Sequence, residues 1–307
     1  MIKNILVKRF ILFVLFSNYY WCFAQEDLLK TLQSMAVEHR ENVLATFKGD
    51  KIINIETNET VRKMNLDFRI SHLFGNIGEE SGGGVHNFYG FDQSADIRIA
   101  FHFGITDKLM VGISRAKRNE SFEGLVKYRV FEQTTDNHLP FALTLFGNST
   151  YSIKDNSIFR KDIYRINYCA QAILARKFSK VFSLVLISGF VHRNFVNADD
   201  ENNTYHLSGG FRYKFTRSSS FIADYSHTFG RSGLSIPHYN VLGLGFEVET
   251  GGHVFSLMFS NASGMLENDY LVNTVDSWGK GGIKLSFIIS RMFPFGKEKT
   301  SPAKKTG

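Results

Sequence analysis

Residues 61–74 read VRKMNLDFRISHLF. Met64, Leu66, Phe68 and Ile70 fall on one side of this stretch, and Asn65, Asp67, Arg69 and Ser71 fall on the other. An apolar residue at every second position predicts a β-strand with one apolar face. The same period runs outward along the chain. Ala95, Ile97, Ile99, Phe101 and Phe103 oppose Asp96, Arg98 and His102. Phe122, Val126, Tyr128 and Val130 oppose Glu123, Lys127 and Arg129. Stretches 109–113, 141–145, 166–174, 205–215, 221–225, 242–248, 255–259 and 283–289 repeat the pattern. Their polar sides bring in Arg165, Arg212, Lys214, Asp224, Glu247, Glu249 and Lys284. Stretch 181–192 is apolar on both sides, so its facing stays open. Twelve strands result, each close to the ~9–11 residues that a tilted strand needs to cross a bilayer.

The composition narrows the class. The chain has 307 residues, 43% hydrophobic and 21% charged, with 30 Phe, 26 Gly and a formal charge of +7. Disordered chains are far less apolar, and helical bundles are built on Ala, Leu, Glu and Lys. Connections near 106–107, 178–179, 216–218 and 250–252 are short. Those at 75–92, 152–161, 194–203, 230–238 and 262–279 are long, while 132–139 fits the alternation least well. Short turns on one side and long loops on the other are the habit of outer-membrane barrels, and an even strand count puts both termini on the short-turn side. A soluble sandwich or lipocalin-like barrel also alternates. Size decides between them, because about eight strands already enclose as much lumen as apolar side chains can fill. A steady succession of Arg, Asp, Lys and Gly on the polar face suits a lumen. Tyr128, Phe131, Phe141, Tyr164, Tyr205, Phe215, Phe221 and Phe246, at or near strand ends, suit aromatic girdles. The fold expected is an all-β, antiparallel, up-and-down transmembrane barrel over residues 61–295.

The flanks read differently. Lys3, Lys8 and Arg9 precede an apolar run, FILFVLF at 10–16, and Phe23-Ala24 precedes Gln25-Glu26-Asp27. This predicts a signal peptide over 1–24; Ser17-Asn18 breaks the run too early for a spanning helix. Trp21 is too large for a lipoprotein cleavage site before Cys22. Cleavage after Ala24 would leave 33 basic and 29 acidic residues and one cysteine, Cys169, so no internal disulfide is expected. Residues 25–60 form an N-terminal periplasmic or lumenal segment, in which 27–35 suggests a short helix and 45–57 a further strand or a stretch tucked into the lumen. Phe293-Pro294-Phe295 ends the last strand, and a polar basic tail, 296–307, follows.

Several segments resemble a family of uncharacterised Bacteroidetes-type outer-membrane β-barrels, a domain of unknown function. They include Thr46-Phe47-Lys48, Ile52-Ile53-Asn54, 66–72 (LDFRISH), Phe74-Gly75-Asn76, 89–93 (YGFDQ), 104–107 (GITD) and 124–128 (GLVKY). Leu73 departs from the basic residue expected there. The resemblance implies a barrel in the outer membrane and carries no catalytic or ligand residues with it.

Chemical motifs are sparse. Acyl hydrolysis needs a nucleophile within hydrogen-bond reach of a base. Ser71 and His72 point to opposite faces of one strand, and no G-x-S-x-G elbow is present. No H-x-x-x-H or H-E-x-x-H spacing suggests a metal. Ser81-Gly82-Gly83-Gly84 lacks a P-loop ending, and basic residues form no stripe for nucleic acid. No catalytic, metal or cofactor residues are assigned. The candidate site is the lumenal charge set: Asp67, Arg69, Asp96, Arg98, Lys127, Arg129, Arg165, Arg212, Lys214, Glu247 and Lys284, joined by Glu123, Asp224 and Glu249. Its eight basic and six acidic groups sum to +2. Asp67/Arg69 and Asp96/Arg98 are expected to form a cross-strand network. The function expected is non-enzymatic, either passage of small solutes or a structural surface role. The rivals are a barrel enzyme acting on lipid and a soluble periplasmic ligand-binding protein. Outer-membrane lipid and the barrel-assembly machinery are the expected partners; solute and oligomeric state are not specified.

Overall fold

A computed structural model describes residues 41–295 apart from 156, 232 and 251–252. The signal peptide, the helix suggested at 27–35 and the basic tail lie outside the described residues. Twelve strands close into one barrel, each antiparallel to its neighbours in sequence, with β12 returning to β1. They are β1 (Asn65–Asn76), β2 (Ser94–Gly104), β3 (Leu109–Ala116), β4 (Ser121–Phe131), β5 (Ala142–Ser152) and β6 (Ile166–Lys177). The second half comprises β7 (Phe182–Arg193), β8 (Asn203–Lys214), β9 (Ser219–Thr228), β10 (Val241–Thr250), β11 (His253–Ser260) and β12 (Lys284–Pro294). The seam is in register: Leu66 faces Phe293 and Ile70 faces Ile289.

The alternation sorts the two faces. In β4 the outward residues Phe122, Val126 and Tyr128 are exposed, while Glu123 and Lys127 are buried. A belt of exposed Ile, Leu, Phe and Tyr on the outside is what lipid stabilises. Rings gather at the short-turn end, where Phe182–Phe211, Phe211–Phe221 and Phe221–Phe246 lie 6.0, 5.9 and 5.5 Å apart. At the opposite end Phe190–Tyr205 and Tyr164–Phe195 lie 6.2 and 5.7 Å apart. These are the two girdles.

The lumen is occupied. From the short-turn side, residues 46–61 run inward and turn back on themselves. Ile52 N–H donates to Ile55 C=O at 3.0 Å, and Thr57 N–H donates to Asp50 C=O at 2.7 Å. From the long-loop side, the β11–β12 connection descends and buries a one-turn helix, α1 (Glu267–Tyr270). Ile52, Ile53 and Ile55 belong to one apolar cluster with Ile173, Val185, Ile187, Ile222, Met258, Tyr270 and Leu271. This settles β7, which the sequence left open: its inward side, Val185, Ile187 and Val191, is apolar because it faces a lumen filled by the apolar cluster and by α1, not water. Leu73, the departure from the family pattern, likewise points inward and is buried. Gly210 and Gly243 stand where the inner segment presses on the wall. A Cβ at Gly210 would lie 2.9 Å from Ile52 and Ile55 side chains, and one at Gly243 would lie 2.8 Å from Asn54 Nδ2.

Leu186 sits mid-strand on the outward face. Replacing it with Arg should destabilise the lipid-embedded barrel by about 2–4 kcal/mol, against about 0–1 kcal/mol for Phe178→Arg in the short turn. Urea unfolding in vesicles measures both; equal losses would mean that this face does not meet lipid.

Candidate functional site

The inner segment and the wall are joined by buried charge. Asp224, on β9, takes the tip of the inner segment: its carboxylate accepts N–H bonds from Ile53, Asn54 and Ile55 at 3.3, 2.6 and 3.1 Å, and Asn54 Nδ2 at 2.9 Å. Below the tip, Arg69 pairs with Asp50 of the segment and with Asp67 at 2.8 Å. Asp50 Oδ2 also lies 2.6 Å from His102 Nδ1, close but without hydrogen-bond alignment. Lys127 reaches Glu56 at 2.6 Å and the carbonyl oxygens of Asp50 and Glu59 at 2.9 and 3.2 Å. Lys51 pairs with Glu56 at 3.4 Å and with Glu267 of α1. Arg98 pairs with Glu123 at 2.6 Å, and Glu123 also accepts from Ser114 and Asn148 at 2.7 and 2.8 Å. Buried charges persist only when paired and hydrogen-bonded. Five carboxylates (Asp50, Glu56, Asp67, Glu123, Glu267) here face four permanent cations (Lys51, Arg69, Arg98, Lys127) and His102.

The imbalance settles on Glu267. Burial pushes its carboxyl up to about 7 against the pull of Lys51, with Glu56 and Glu123 adding to the rise. Asp269, in the same connection, is also pushed to about 7 by burial, against Arg118 and with Asp96 adding.

The expected pairs sort unevenly. Asp67 and Arg69 do meet, along one strand. Asp96 and Arg98 do not: Asp96 accepts the backbone N–H groups of Arg118 and Met265 at 2.9 and 3.0 Å, while Arg98 turns to Glu123. The register explains why Asp67 and Arg69 do not meet Asp96 or Arg98 across β1 and β2, where Asp67 instead stands opposite His102. Arg69 stands opposite Ala100, Arg98 opposite Ser71, and Asp96 opposite Leu73. Arg212 meets Glu247 across β9 at 2.9 Å. Arg129 holds the segment's entry, donating to Thr60 at 3.0 Å and pairing with Glu132. Arg165 caps carbonyls of Ser152 and Lys154 at the long-loop end, 3.1 and 2.5 Å away. Lys284 pairs with Asp276, and Lys48 with Glu249. Lys214 is half-buried at the short-turn end of β8, apart from the central cluster.

Asp50, Asp67 and His102 bring three ligand atoms within 4.8 Å of one another. Arg69 already supplies the cation between these two carboxylates, so a metal would have to displace its guanidinium. His206 and Ser208, on β8, form a Ser–His contact of 3.0 Å, extended by Ser208–Ser226 at 2.8 Å. Gln171, 3.4 Å from His206 Nε2, stands where a hydrolase would place an orienting carboxylate, and all four side chains are buried. His72, the histidine next to Ser71, stacks outside on Phe287 and Phe74. The space left beside Lys51, Arg69 and Arg98 is about 20 Å³, the size of one water.

Removing Arg69 or Arg98 leaves a buried carboxylate without its partner. Arg69→Ala and Arg98→Ala should each destabilise the barrel by about 3–5 kcal/mol, read from urea midpoints; unchanged midpoints would show that these pairs do not hold the lumen.

A raised carboxyl stabilises the fold fully below its ordinary value of 4.5, and this contribution is lost as pH rises through about 7. His238 works in the opposite sense, since burial lowers it from 6.5 to about 4; its contribution cancels when a variant is compared with its parent. Glu267→Gln should therefore flatten part of the fall in stability between pH 5 and 7, and Glu267→Gln/Asp269→Asn more of it. Parallel profiles for parent and variants would rule this out.

A family described as "Membrane bound beta barrel domain (DUF5777)" matches residues 47–293. No curated protein matches the chain. Among solved structures, a NanC porin shares 9% identity over 76% of this chain and 100% of its own, with a TM-score of 0.46. A KdgM porin shares 10% over 76% and 99%, with a TM-score of 0.44. An OmpF of Salmonella typhi shares 10% over 75% and 96%, with a TM-score of 0.38.

Proposed function

The chain belongs to the family of membrane bound beta barrel domains, and from that premise we propose that it is a non-enzymatic outer-membrane barrel, closed at rest, that passes small solutes when its inner segment yields. The observation that carries this reading is the filled lumen: residues 46–61 and the β11–β12 connection meet inside the wall and leave about 20 Å³ between Lys51, Arg69 and Arg98. An open diffusion pore would keep that space wet. Polar attachments support a segment that can move, because each bond lost on opening can be replaced by water once the lumen hydrates. Export with cleavage after Ala24 is the route proposed, with outer-membrane lipid around the belt and β12, with Phe295 directly after it, as the element offered to the barrel-assembly machinery. The +2 of the strand charges is not a free anion filter in this reading, since most of these groups are spent on the inner segment. A lipid-acting enzyme is disfavoured because the Ser208–His206 pair is sealed inside and lacks an orienting carboxylate.

Planar-bilayer recording of the full chain, with insertion verified by heat-modifiable migration, tests this. The parent should be silent or open rarely. Asp224→Ala, which frees the tip, should raise the frequency of stepwise openings at least tenfold. An Asn54→Cys/Ser260→Cys cross-link, placed where the side chains already meet at 3.1 Å, should suppress them. Steady ohmic current in the parent would overturn the closed state, and lipid hydrolysis by the parent would overturn the non-enzymatic reading.

A further inference from the structure

A cavity lies at the long-loop end, outside the charge cluster that closes the lumen. It encloses about 360 Å³ between the β3–β4, β7–β8, β9–β10 and β11–β12 connections. That is within the range of small-molecule sites. Three arginines from three different connections or strand ends line it: Arg118, Arg193 and Arg231. Asp200 bridges two of them, lying 2.9 Å from Arg193 and pairing with Arg231. Arg193 also donates to Glu201 C=O at 3.0 Å, and Arg231 to Val272 C=O at 2.6 Å. The third, Arg118, has no hydrogen bond or ion pair from its guanidinium among the described residues.

Unused donors remain. The Nε atoms of Arg118, Arg193 and Arg231 are buried and unpartnered, as is Nδ1 of His238. Arg193 is only 7% exposed, so its orphan N–H is shut away from bulk water. These four atoms are closed to solvent and to the cavity alike, so the donors a ligand can reach are the terminal N–H groups of Arg118, which meet no hydrogen-bond partner among the described residues. His238 donates to or accepts from Thr228 at 2.7 Å through Nε2. Burial, Arg231 and Arg193 push this ring down to about 4, so it stays neutral at pH 7 and adds no charge. The only other acid on the lining is Asp199, at the rim, where Ser235 N–H occupies it at 2.7 Å. On the lining itself three guanidinium charges face two carboxylates, an excess of one positive charge; Asp269, beside Arg118, lies outside the lining and its carboxyl is raised to about 7 by burial. Leu234, Ile236 and Val275 give the rest of the lining an apolar flank.

We propose that this cavity is a binding site for a small organic monoanion, a carboxylate with an apolar body, taken up from the long-loop side. The carboxylate would accept from the terminal N–H groups of Arg118, and a guanidinium fork is the shape that carboxylates fit. The site is read by binding and not by current, so it stands or falls independently of whether the lumen opens. Phosphate and sulfate carry more charge than the single positive excess, and a cation would meet three arginines.

Benzoate is the test ligand, titrated calorimetrically into the full-length protein in detergent, with benzyl alcohol and choline as neutral and cationic counterparts. Benzoate should bind saturably with 1:1 stoichiometry, and the other two at least tenfold more weakly. Arg118→Gln should weaken benzoate at least tenfold. The guanidinium makes no hydrogen bond or ion pair among the described residues, and Asp269 keeps its bond to Asn119, so the barrel should keep its heat-modifiable band. Lys108→Gln, in the short β2–β3 turn, should leave the affinity unchanged. Raising NaCl from about 0.05 to 0.5 M should weaken binding severalfold, as screening of a charged contact requires. Equal affinity for benzyl alcohol, an unchanged affinity in Arg118→Gln, or binding that strengthens with salt would each overturn the proposal.

Discussion

One carboxylate organises the interior. Asp224 faces the lumen from β9 and receives three consecutive backbone N–H groups and the side chain of Asn54. The tip of an inner segment has no strand partners, so its N–H groups need acceptors, and an orphaned buried donor costs about as much as a lost hydrogen bond. A charged acceptor from the wall meets three of them at once and shields its own charge in doing so. Gly243, across from Asp224 on β10, leaves room for Asn54 to reach in. With the tip held there, Asp50 and Glu56 are carried to Arg69 and Lys127, and Lys51 is carried to Glu267. The remaining pairs therefore depend on the geometry that Asp224 sets.

The interior is also a solution to a size problem. A twelve-stranded wall leaves more room than wall side chains can fill. Here two chain segments from opposite ends fill it, and the wall chemistry divides to match. In the apolar cluster that holds Ile52, Ile53 and Ile55, the inward positions of β6, β7 and β9 are Ile173, Val185, Ile187 and Ile222. Where Asp50, Lys51 and Glu56 touch β1, β2 and β4, the inward positions are Asp67, Arg69, Arg98, Glu123 and Lys127. An ion-paired sector and an apolar sector thus share one lumen, and the small excess of carboxylate in the first shows in the raised carboxyl of Glu267.

The outer surface was legible from the sequence because lipid and lumen are different media, and period two records which side meets which. Leu66, Phe68 and Ile70 against Asp67, Arg69 and Ser71 suffice to place β1 and its facing. The interior was less legible for three separate reasons. Val185, Ile187 and Val191 are apolar toward the lumen, so β7 carries no alternation at all. Asp96 ends on backbone N–H groups of Arg118 and Met265, and acceptors of that kind leave no trace in side-chain spacing. The arginines of the outer cavity come from connections more than 70 residues apart in the case of Arg118 and Arg193; only closure of the barrel brings them together. A weak hint did exist in 194–203, a long connection that carries Asp199, Asp200 and Glu201 in a row.

The β11–β12 connection links the two ends of this arrangement. Its helix α1 places Glu267 against Lys51, inside the closed lumen. Five residues further on, Val272 accepts from Arg231 at 2.6 Å in the outer cavity. Asp269 lies between, bound to Asn119 at 2.6 Å beside Arg118. One short stretch, 267–273, is therefore in contact with the inner segment on one side and with the guanidinium cluster on the other. Coupling between two sites requires a shared element that each can bias. Here that element is buried on both sides and held by polar contacts more than by apolar packing at Glu267 and Asp269. That stretch touches Arg231 through the carbonyl of Val272 and Lys51 through the carboxylate of Glu267, so the guanidinium cluster and the inner segment share one short element of the chain.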